Sequence, residues 1–340
     1  MNNKERQTMP ISTVIKLFPQ EDTILPPTMG QYGHAVFFEI LNQSDQNIAE
    51  RVHNMTDVKP FTVSPLQSEF KKVGKGQVLI TAGTECWMRY TLLDDELFPV
   101  FSRYFLTVQR PTLRLGRGVF ELTELLTSQN VEETKWSGHA SYEELMEQAK
   151  TNTIIDLRFY SPTAFRKRDP KGGKSQNFPG VDMMGCYQSW VNKWNVFAPV
   201  KIDKDKLLAF VQNHGGLTLI ETRTRMMDFG KHKQVGFVGN CQFQFREDWG
   251  WDFDDEEMDY LSPPSLTLPA CGEGRGGGTE EGMKEGEPWA APEPSPYAPP
   301  QPGPMAEEML KQVNLLADFA FYAGTGLKAT MGMGQTRRLG

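Results

Sequence analysis

The glycine-rich run near the C-terminus contains the residue types that bind phosphate. Two Gly-x-Gly pairs flank five residues, one of which is a lysine. The run and the two basic residues after it supply Gly324, Gly326, Lys328, Gly332, Gly334, Arg337 and Arg338. Glycine adopts positive φ and lets the backbone approach a ligand closely. Consecutive backbone N–H groups in such a turn form a concave anion site, so the run predicts phosphate binding with Lys328 as the nearby cation.

This run is not a nucleotide-binding P-loop. Its glycines follow the predicted helix Met305–Tyr322, so the adjacent helix end is negative and does not attract a phosphate. Gly173-Lys174-Ser175 resembles the end of a Walker motif, but Arg168 occupies the position of the first glycine and no strand leads into it. We therefore exclude an NTPase.

A second group of basic residues lies in one loop of the second half. Its members are Arg166, Lys167, Arg168, Lys171 and Lys174. Such a loop contacts the phosphate backbone of a nucleic acid, or it is a solvated surface loop. The sequence gives these two interpretations equal weight.

Cysteine and histidine spacing argues against a bound metal. The four cysteines form no CxxC pair, and the five histidines show neither HxH nor HExxH spacing. We predict no metal site, no disulfide framework and no cofactor. No apolar run reaches the ~18–20 residues of a membrane helix, and the first ten residues lack the apolar core of a signal peptide. We therefore expect a soluble cytoplasmic protein that does not contact membranes.

The net charge of −7 hides an uneven distribution. Residues 247–308 hold 16 acidic and two basic residues, a net charge of −14, so the rest of the chain carries +7. A basic body with one acidic segment is typical of a polyanion-binding protein, although ordinary surface statistics explain it equally well.

The acidic segment is also rich in proline and glycine. Ser262–Pro304 contains 11 Pro and 8 Gly in 43 residues and few aliphatic residues. Such a composition cannot bury enough apolar surface to offset its ordering entropy, which predicts a disordered insertion. We interpret it as a tolerated surface insertion in preference to a partner-docking arm.

The rest of the chain repeats one pattern of elements twice: strand, helix, strand, strand, helix, strand. Helical periodicity over Gly33–Val52 predicts two short helices broken near Asn42–Asp45. Two such units predict an α+β fold of two tandem ferredoxin-like domains. The predicted boundaries are residues 11–128 for the N-terminal domain, 129–150 for a connector, 151–246 together with 305–340 for the C-terminal domain, and 247–304 for the acidic insertion.

Three segments resemble the CRISPR-associated endoribonuclease family Cas6 of the repeat-associated mysterious protein (RAMP) superfamily. The C-terminal run matches the family's GhGxxxxxGhG loop, in which h is apolar, and the helix Leu315–Tyr322 precedes it. The stretch His53–Ser64 resembles the family's histidine-to-lysine segment, and Asp156–Arg166 resembles the start of its second domain. The resemblance implies two ferredoxin-like domains and metal-independent cleavage of CRISPR repeat RNA to guide RNA with a repeat-derived 5′ handle. Repeat RNA is the implied partner, with other CRISPR effector subunits as further candidates.

The resemblance also assigns candidate catalytic residues. Metal-free cleavage needs a base for the 2′-OH, an acid for the departing 5′-oxygen and a cation for the phosphorane, and histidine serves as acid or base near neutral pH. His53 matches the family's catalytic histidine and Lys59 its lysine. Phe38 replaces a tyrosine of some members, and Tyr32 and His34, just ahead of the first helix, are the residues that could take its place. His34 is the second catalytic candidate, because other members use a histidine near the first helix. We interpret the other histidines, at 139, 214 and 232, as surface residues.

Two functions from different classes remain open. The first is an endoribonuclease that cuts CRISPR repeat RNA, leaving 2′,3′-cyclic phosphate and 5′-OH ends. The alternative is a non-catalytic RNA-binding subunit of a CRISPR effector complex. The retained His53–Lys59 spacing favours the enzyme, whereas the missing tyrosine keeps the alternative open. A cyclic-phosphodiesterase-like enzyme is less favoured, because the chain has no paired HxT/S motif.

Overall fold

The structure is a computed structural model that describes residues 9–74, 76–128, 135–167, 175–230, 232–246 and 304–340. The predicted acidic insertion 247–304 lies outside the described residues except for Pro304, and so does Arg168 with most of the basic loop. The described residues form seven α-helices and 16 strands, arranged as a mixed α/β fold of curled antiparallel sheets. No helix in this part of the chain is both long and apolar enough to cross a membrane.

The first half of the chain begins with a long strand followed by two consecutive helices. Its elements are β1 (Ile11–Pro19), β2 (Thr23–Leu25), α1 (Gly30–Ser44), α2 (Gln46–Asn54), β3 (Phe61–Val63), β4 (Gln67–Ser68), β5 (Lys71–Lys72), β6 (Val78–Ile80), β7 (Cys86–Leu92), α3 (Leu97–Thr107), β8 (Thr112–Leu115) and β9 (Gly118–Leu126). Asp45 separates the two helices, because its carboxylate accepts a hydrogen bond from the Ile48 amide at 3.2 Å and caps the start of α2. The predicted break near Asn42–Asp45 is confirmed.

The main sheet of the first half has the strand order β3-β7-β1-β9-β8. Side chains of a strand alternate between the two faces of a sheet. The side chains of β7 that pack in the core with α1 and α3 are Cys86, Met88, Tyr90 and Leu92. Arg89 and Thr91 therefore lie on the opposite face, yet both are buried, because the second half of the chain covers that face.

The second half builds a separate sheet with its own core. Its elements, starting from the segment that joins the halves, are β10 (Gly138–His139), α4 (Tyr142–Glu147), β11 (Ile154–Thr163), β12 (Phe165–Lys167), β13 (Gln176–Phe178), α5 (Met183–Phe197), α6 (Lys204–His214), β14 (Gly215–Asp228), β15 (Lys233–Phe245), α7 (Pro304–Ala323) and β16 (Thr336–Leu339). The strand order is β14-β15-β11-β16. Trp190, Trp194 and Phe319 form the centre of this core between the sheet and its helices.

The segment that joins the halves packs against both. Gly138 and His139 pair with the start of β1. Ser141 and Glu144 form a capping box that starts α4, and the Tyr142 hydroxyl donates to the Leu93 carbonyl at 2.9 Å. The described part of the predicted connector is thus an ordered bridge between the two cores.

Local contacts set the limits of α3 and β14. The Asp94 carboxylate accepts the Glu96 amide at 3.0 Å and forms a turn ahead of α3, which begins at Leu97. The strand β14 extends over Gly215–Asp228, because it pairs with β15 along this range.

Candidate active site

The fold brings the first helix of the chain against the C-terminal glycine-rich loop, residues 324–334. His34 Nδ1 lies 2.9 Å from the Thr330 carbonyl oxygen, although the two residues are 296 positions apart in the sequence. Thr330 lies in a 3₁₀ turn, Ala329–Met331. Gly30 permits this approach, because a Cβ there would lie 1.9 Å from the Met331 carbonyl oxygen. The predicted second catalytic candidate and the predicted phosphate loop therefore meet.

The hydrogen bond to Thr330 determines which nitrogen of His34 carries the proton. A carbonyl oxygen only accepts, so Nδ1 must donate, and in the neutral ring Nε2 then holds a free electron pair. Burial lowers the pKa of His34, and the charges of Lys59 and His53 lower it further, against an opposing effect of the Thr330 carbonyl. His34 is therefore a neutral imidazole at neutral pH, and its Nε2 is able to accept a proton.

The two candidate histidines flank one aromatic ring. The Phe38 ring centroid lies 5.0 Å from that of His34 and 5.4 Å from that of His53, with edge-to-face geometry in both cases. His34 was predicted ahead of the first helix, but it lies within α1, which begins at Gly30. His34 and Phe38 are therefore four residues apart on one helix and share one face of it. His53 is exposed near the end of α2. The structure thus brings together both histidines predicted from the sequence, around the position where some family members have tyrosine.

Lys59 is held at the C-terminal end of α2. Its Nζ donates to the Val52 carbonyl at 2.7 Å and to the His53 carbonyl at 2.6 Å. These carbonyls belong to the negative end of the helix, which favours a cation. Partial burial lowers the pKa of Lys59. The ammonium therefore fixes the backbone of His53 and places a positive charge beside the histidine pair.

The glycine-rich loop has the backbone conformation that its sequence predicts. The φ angles of Gly324, Gly326, Gly332 and Gly334 are 61°, 71°, 93° and 73°. At Gly326 and Gly334 a Cβ would also lie 2.4 Å from the Ala164 carbonyl oxygen and 2.0 Å from the Thr325 carbonyl oxygen. A larger residue at Gly326 or Gly334 would clash with these carbonyls and displace the loop, so the shape of the loop depends on glycine at both positions.

Most amides of this loop donate inside the protein. Within the described residues the acceptors are Ala320 O for Gly324, Gly334 O for Thr325, Ser189 Oγ for Gly326, Ala164 O for Leu327, Lys328 O for both Met331 and Met333, and Pro162 O for Gly334. In that part of the chain, no acceptor binds the amides of Lys328, Ala329 and Thr330. The donors that remain for a phosphate are therefore restricted to the tip of the loop.

Lys328 lies at this tip in a left-handed conformation, with φ 55° and ψ 34°. Its Nζ contacts His232 Nε2 and lies 4.2 Å from the centroid of the Phe229 ring. Both partners belong to the turn between β14 and β15. Partial burial lowers the pKa of Lys328. The β14–β15 turn therefore holds the cation that the sequence predicts as a phosphate ligand.

The other predicted RNA-binding residues are spread over three locations. Arg338 is almost buried, and it binds Asp318 at 3.1 Å and Asn314 at 2.6 Å on α7. Arg337 donates to the Lys135 carbonyl at 2.7 Å. Arg166 is exposed on β12, where Lys167 pairs with Asp182 at 2.9 Å. The β12–β13 hairpin adjoins the loop, because the Ala164 carbonyl just before β12 accepts the Leu327 amide.

Three features of the site were not predicted from the sequence. The Thr330 carbonyl is a backbone group, and no sequence pattern marks it. His232 was treated as a surface residue, and it is exposed, but it contacts Lys328. Arg89, which binds both stems of the loop, interrupts the otherwise apolar start of β7, Cys86-Trp-Met-Arg89, and this interruption was the available signal.

Sequence and structure comparisons agree on one family. Residues 9–147 match the CRISPR Cas6 N-terminal domain, and residues 157–336 match the CRISPR-associated endoribonuclease Cas6. No curated protein sequence matches the chain.

Solved Cas6 structures share the fold over nearly the whole chain. A Cas6 (TTHB231) product complex is 22% identical and covers 98% of this chain and 100% of its own, with a TM-score of 0.67. A Cas6 (TTHA0078) product complex is 20% identical with the same coverage and a TM-score of 0.63. Thermus thermophilus Cas6 (TTHB231) is 20% identical, covers 98% of this chain and 99% of its own, and has a TM-score of 0.59.

The curled antiparallel sheets are the fold that this chain shares with the solved Cas6 structures. The two matches together span most of the chain, and the chain belongs to the CRISPR-associated endoribonuclease family Cas6. This membership supports an RNA-cleaving enzyme that processes CRISPR repeat RNA, and it agrees with the resemblance read from the glycine-rich run.

Proposed function

We propose that this protein is a metal-independent endoribonuclease that cuts CRISPR repeat RNA to mature guide RNA by attack of the 2′-OH. The observation that carries the proposal is the hydrogen bond of 2.9 Å between His34 Nδ1 and the Thr330 carbonyl. It leaves Nε2 of a neutral histidine free to accept a proton beside the glycine-rich loop. The solved structures that share the fold include a product complex and a substrate mimic complex of Cas6 and a RAMP protein binding different RNA substrates, which supports an RNA substrate for this chain.

The reaction moves two protons and exchanges one bond at phosphorus. His34 Nε2 takes the proton from the 2′-OH, whose oxygen then forms a bond to the adjacent phosphorus. The bond from phosphorus to the 5′-oxygen breaks, and that oxygen receives a proton. The products carry a 2′,3′-cyclic phosphate and a 5′-OH.

His53 and Lys59 supply the other two functions in this proposal. The ring of His53 contacts the Phe38 ring, as the ring of His34 does. His53 is exposed, and in this proposal it protonates the departing 5′-oxygen. Lys59 stabilises the negative charge of the phosphorane, because its ammonium is fixed at the end of α2. A pair of histidines thus performs the acid and base steps without a tyrosine at position 38.

The loop tip and the β12–β13 hairpin form the proposed phosphate contacts. Lys328 and the amides at the tip bind the RNA backbone, and Gly324, Gly326, Gly332 and Gly334 maintain the loop that presents them. Arg166 and Lys167 extend the basic surface from the neighbouring hairpin. Arg168, which lies outside the described residues, and the partly exposed Arg337 are proposed RNA contacts from the sequence. Arg338 contributes mainly through its ion pair with Asp318.

We also propose that the chain contains two ferredoxin-like domains. Counting the main strands of each half in chain order, both sheets have the order 2-3-1-4, with helices between strands 1 and 2 and between strands 3 and 4. The proposed domains are 11–128 and 151–246 with 305–340, joined by 129–150. The proposed acidic insertion, 247–304, lies outside the described residues except for Pro304 and follows β15 in the sequence. The protein would act in the cytoplasm, with other CRISPR effector subunits as candidate partners.

Cleavage in EDTA tests the proposal. Repeat RNA from the same locus, incubated with the protein in excess EDTA, should be cut at one position. The products should carry a 5′-OH, detected by direct labelling with polynucleotide kinase, and a cyclic phosphate, which blocks 3′ extension until it is removed. Strict dependence on magnesium would contradict the proposal, and tight binding without cleavage would favour the non-catalytic RNA-binding alternative.

Lys59 should control the pH dependence of cleavage. Its positive charge is one cause of the low pKa of His34, so Lys59→Met should raise that pKa. The rate of a base-catalysed step falls as the pH drops through the pKa of the base, so the acid limb of the pH–rate profile should move to higher pH. Lys71→Met is the control, because Lys71 is exposed on β5 and is not among the charges that act on His34. An acid limb that stays in place in Lys59→Met would count against His34 as the base.

A further inference from the structure

Arg89 carries a buried charge at the junction of the two halves. Its side chain is 1% exposed, and no carboxylate of the described residues binds it. The guanidinium lies 4.1 Å from the centroid of the Phe321 ring and 5.2 Å from that of Trp136. Burial lowers the pKa of Arg89 to about 9, so the group stays charged at neutral pH. An isolated buried charge is costly, so its contacts should explain why it is there.

The contacts of Arg89 reach both stems of the glycine-rich loop. Nη2 donates to the Phe321 carbonyl at 2.5 Å, three residues before Gly324. Nη1 donates to Gln335 Oε1 at 2.9 Å, directly after Gly334. The first contact also places the cation at the negative C-terminal end of α7, which offsets its charge. One planar guanidinium therefore binds the two chain segments between which the loop extends.

The remaining contacts of Arg89 anchor it to the first half of the chain. Nε donates to Ser12 Oγ on β1 at 2.7 Å and to the Trp136 carbonyl at 3.1 Å. The next residue on β7, Tyr90, donates its hydroxyl to the Gly33 carbonyl at 3.1 Å. Gly33 precedes His34 on α1. The strand that carries Arg89 thus also fixes the helix that carries His34.

Lys193 provides an informative contrast. It is partly buried at the end of α7, where its Nζ donates to the Ala323 carbonyl at 2.6 Å and to the Gly324 carbonyl at 3.1 Å. Lys193 belongs to α5, in the same half as the loop. It therefore stabilises the loop on its own half, whereas Arg89 connects the loop to the half that holds His34.

We propose that Arg89 is a positioning residue that holds the glycine-rich loop against the first half, so that the Thr330 carbonyl keeps His34 in the Nδ1–H tautomer. This inference rests on the proposed function, because it assigns a catalytic consequence to that tautomer. The loop then acts on catalysis in two ways: its tip binds phosphate, and its backbone orients the base. Because Arg89 lies between the halves, it couples the position of the loop tip to the orientation of His34.

The test compares Arg89→Met with a variant of matched stability. Arg89→Met removes the hydrogen bonds to Phe321 and Gln335 and keeps a side chain of similar length. Val211→Ala removes buried volume on α6, in the second core and away from the loop. The histidine tautomers of both are read from ¹⁵N shifts of labelled imidazole rings without RNA, with His34 assigned by its loss in His34→Asn. Single-turnover cleavage and affinity for a 2′-deoxy repeat are measured separately.

Arg89→Met should lose the Nδ1–H tautomer of His34. Its cleavage rate should fall roughly 10²-fold, the effect of displacing a catalytic group by about 1 Å. Affinity for the 2′-deoxy repeat should fall much less than the rate, because Lys193 still holds the stem of the loop on its own half and a positioning defect appears mainly in the rate. Val211→Ala should be equally destabilised in thermal unfolding and should keep the wild-type tautomer and rate.

If Arg89→Met does not fold, Gln335→Leu tests the same proposal, because it removes the hydrogen bond from Arg89 to the second stem of the loop. Its effect on the tautomer and the rate should be smaller and in the same direction. Retention of the Nδ1–H tautomer in the variant that folds would overturn the proposal, and so would an equal loss of rate in Val211→Ala. Failure of the proposed function appears differently. The wild-type protein would then not cut RNA at all, whereas the tautomer comparison would still give its result.

Discussion

His34→Ala should slow single-turnover cleavage of repeat RNA by roughly 10²–10⁴-fold, the usual contribution of a positioned acid or base. Burial and the charges of Lys59 and His53 lower the pKa of His34, so the ring is neutral at neutral pH and its Nε2 accepts the 2′-OH proton. Affinity for a 2′-deoxy repeat should remain close to wild type, since a neutral imidazole adds little to phosphate binding. The measurement is the rate with enzyme in excess, with affinity determined separately.

A second variant of His34 and a control at another histidine separate the catalytic role of His34 from its packing role. His34→Asn places an amide N–H where Nδ1–H lies, so it retains a donor for Thr330 but has no group that titrates near neutral pH. It should be as inactive as His34→Ala. His214→Ala is the matched control, because His214 Nδ1 also contacts a backbone carbonyl, that of Arg246 at 3.1 Å, at the end of α6. It should cleave at the wild-type rate.

The variants of the other histidine complete this comparison. An active His34→Asn would show that His34 serves only to join α1 to the loop. In that case His53, the first candidate from the family resemblance, would be the base, and His53→Ala would be the inactive variant. Equal losses in His34→Ala and His53→Ala agree with shared acid and base roles around Phe38.

Local patterns predicted much of what positions the site. Alternation and helical periodicity predicted the repeated order of strands and helices, because each element must bury one face. The break between α1 and α2 was predictable because Asp45 is a strong helix cap. The positive φ angles of the four glycines in the glycine-rich loop were predictable from the residue type, whereas the positive φ of Lys328 was not. These are features that a few neighbouring residues determine.

Contacts between distant segments were beyond such patterns. The sequence places His34 and Thr330 far apart, and only the packing of α7 and its loop on the first sheet joins them. Strand alternation puts Arg89 on the face opposite the core, where a charged residue suggests solvent. The second half covers that face, and the end of α7 provides the negative charge that Arg89 needs.

Lys59 illustrates the same limit for a single residue. Its spacing from His53 assigned it a catalytic charge, and spacing says nothing of its hydrogen bonds. In the structure its ammonium bonds to the carbonyls of Val52 and His53, so it also stabilises the end of α2. The two roles are compatible, because an ammonium has three donors and the bonds to Val52 and His53 use two.

A single 2′-deoxy nucleotide before the cut tests the central claim most directly. Removal of this hydroxyl removes the nucleophile and leaves every phosphate and the whole protein unchanged. Cleavage by the wild-type protein in EDTA should be abolished at that position, while affinity should stay within about twofold, because binding of the backbone is mainly electrostatic. A deoxy substitution two nucleotides away should be cut normally. Cleavage at the deoxy position would contradict the account, since the nucleophile would then be water and not the 2′-OH.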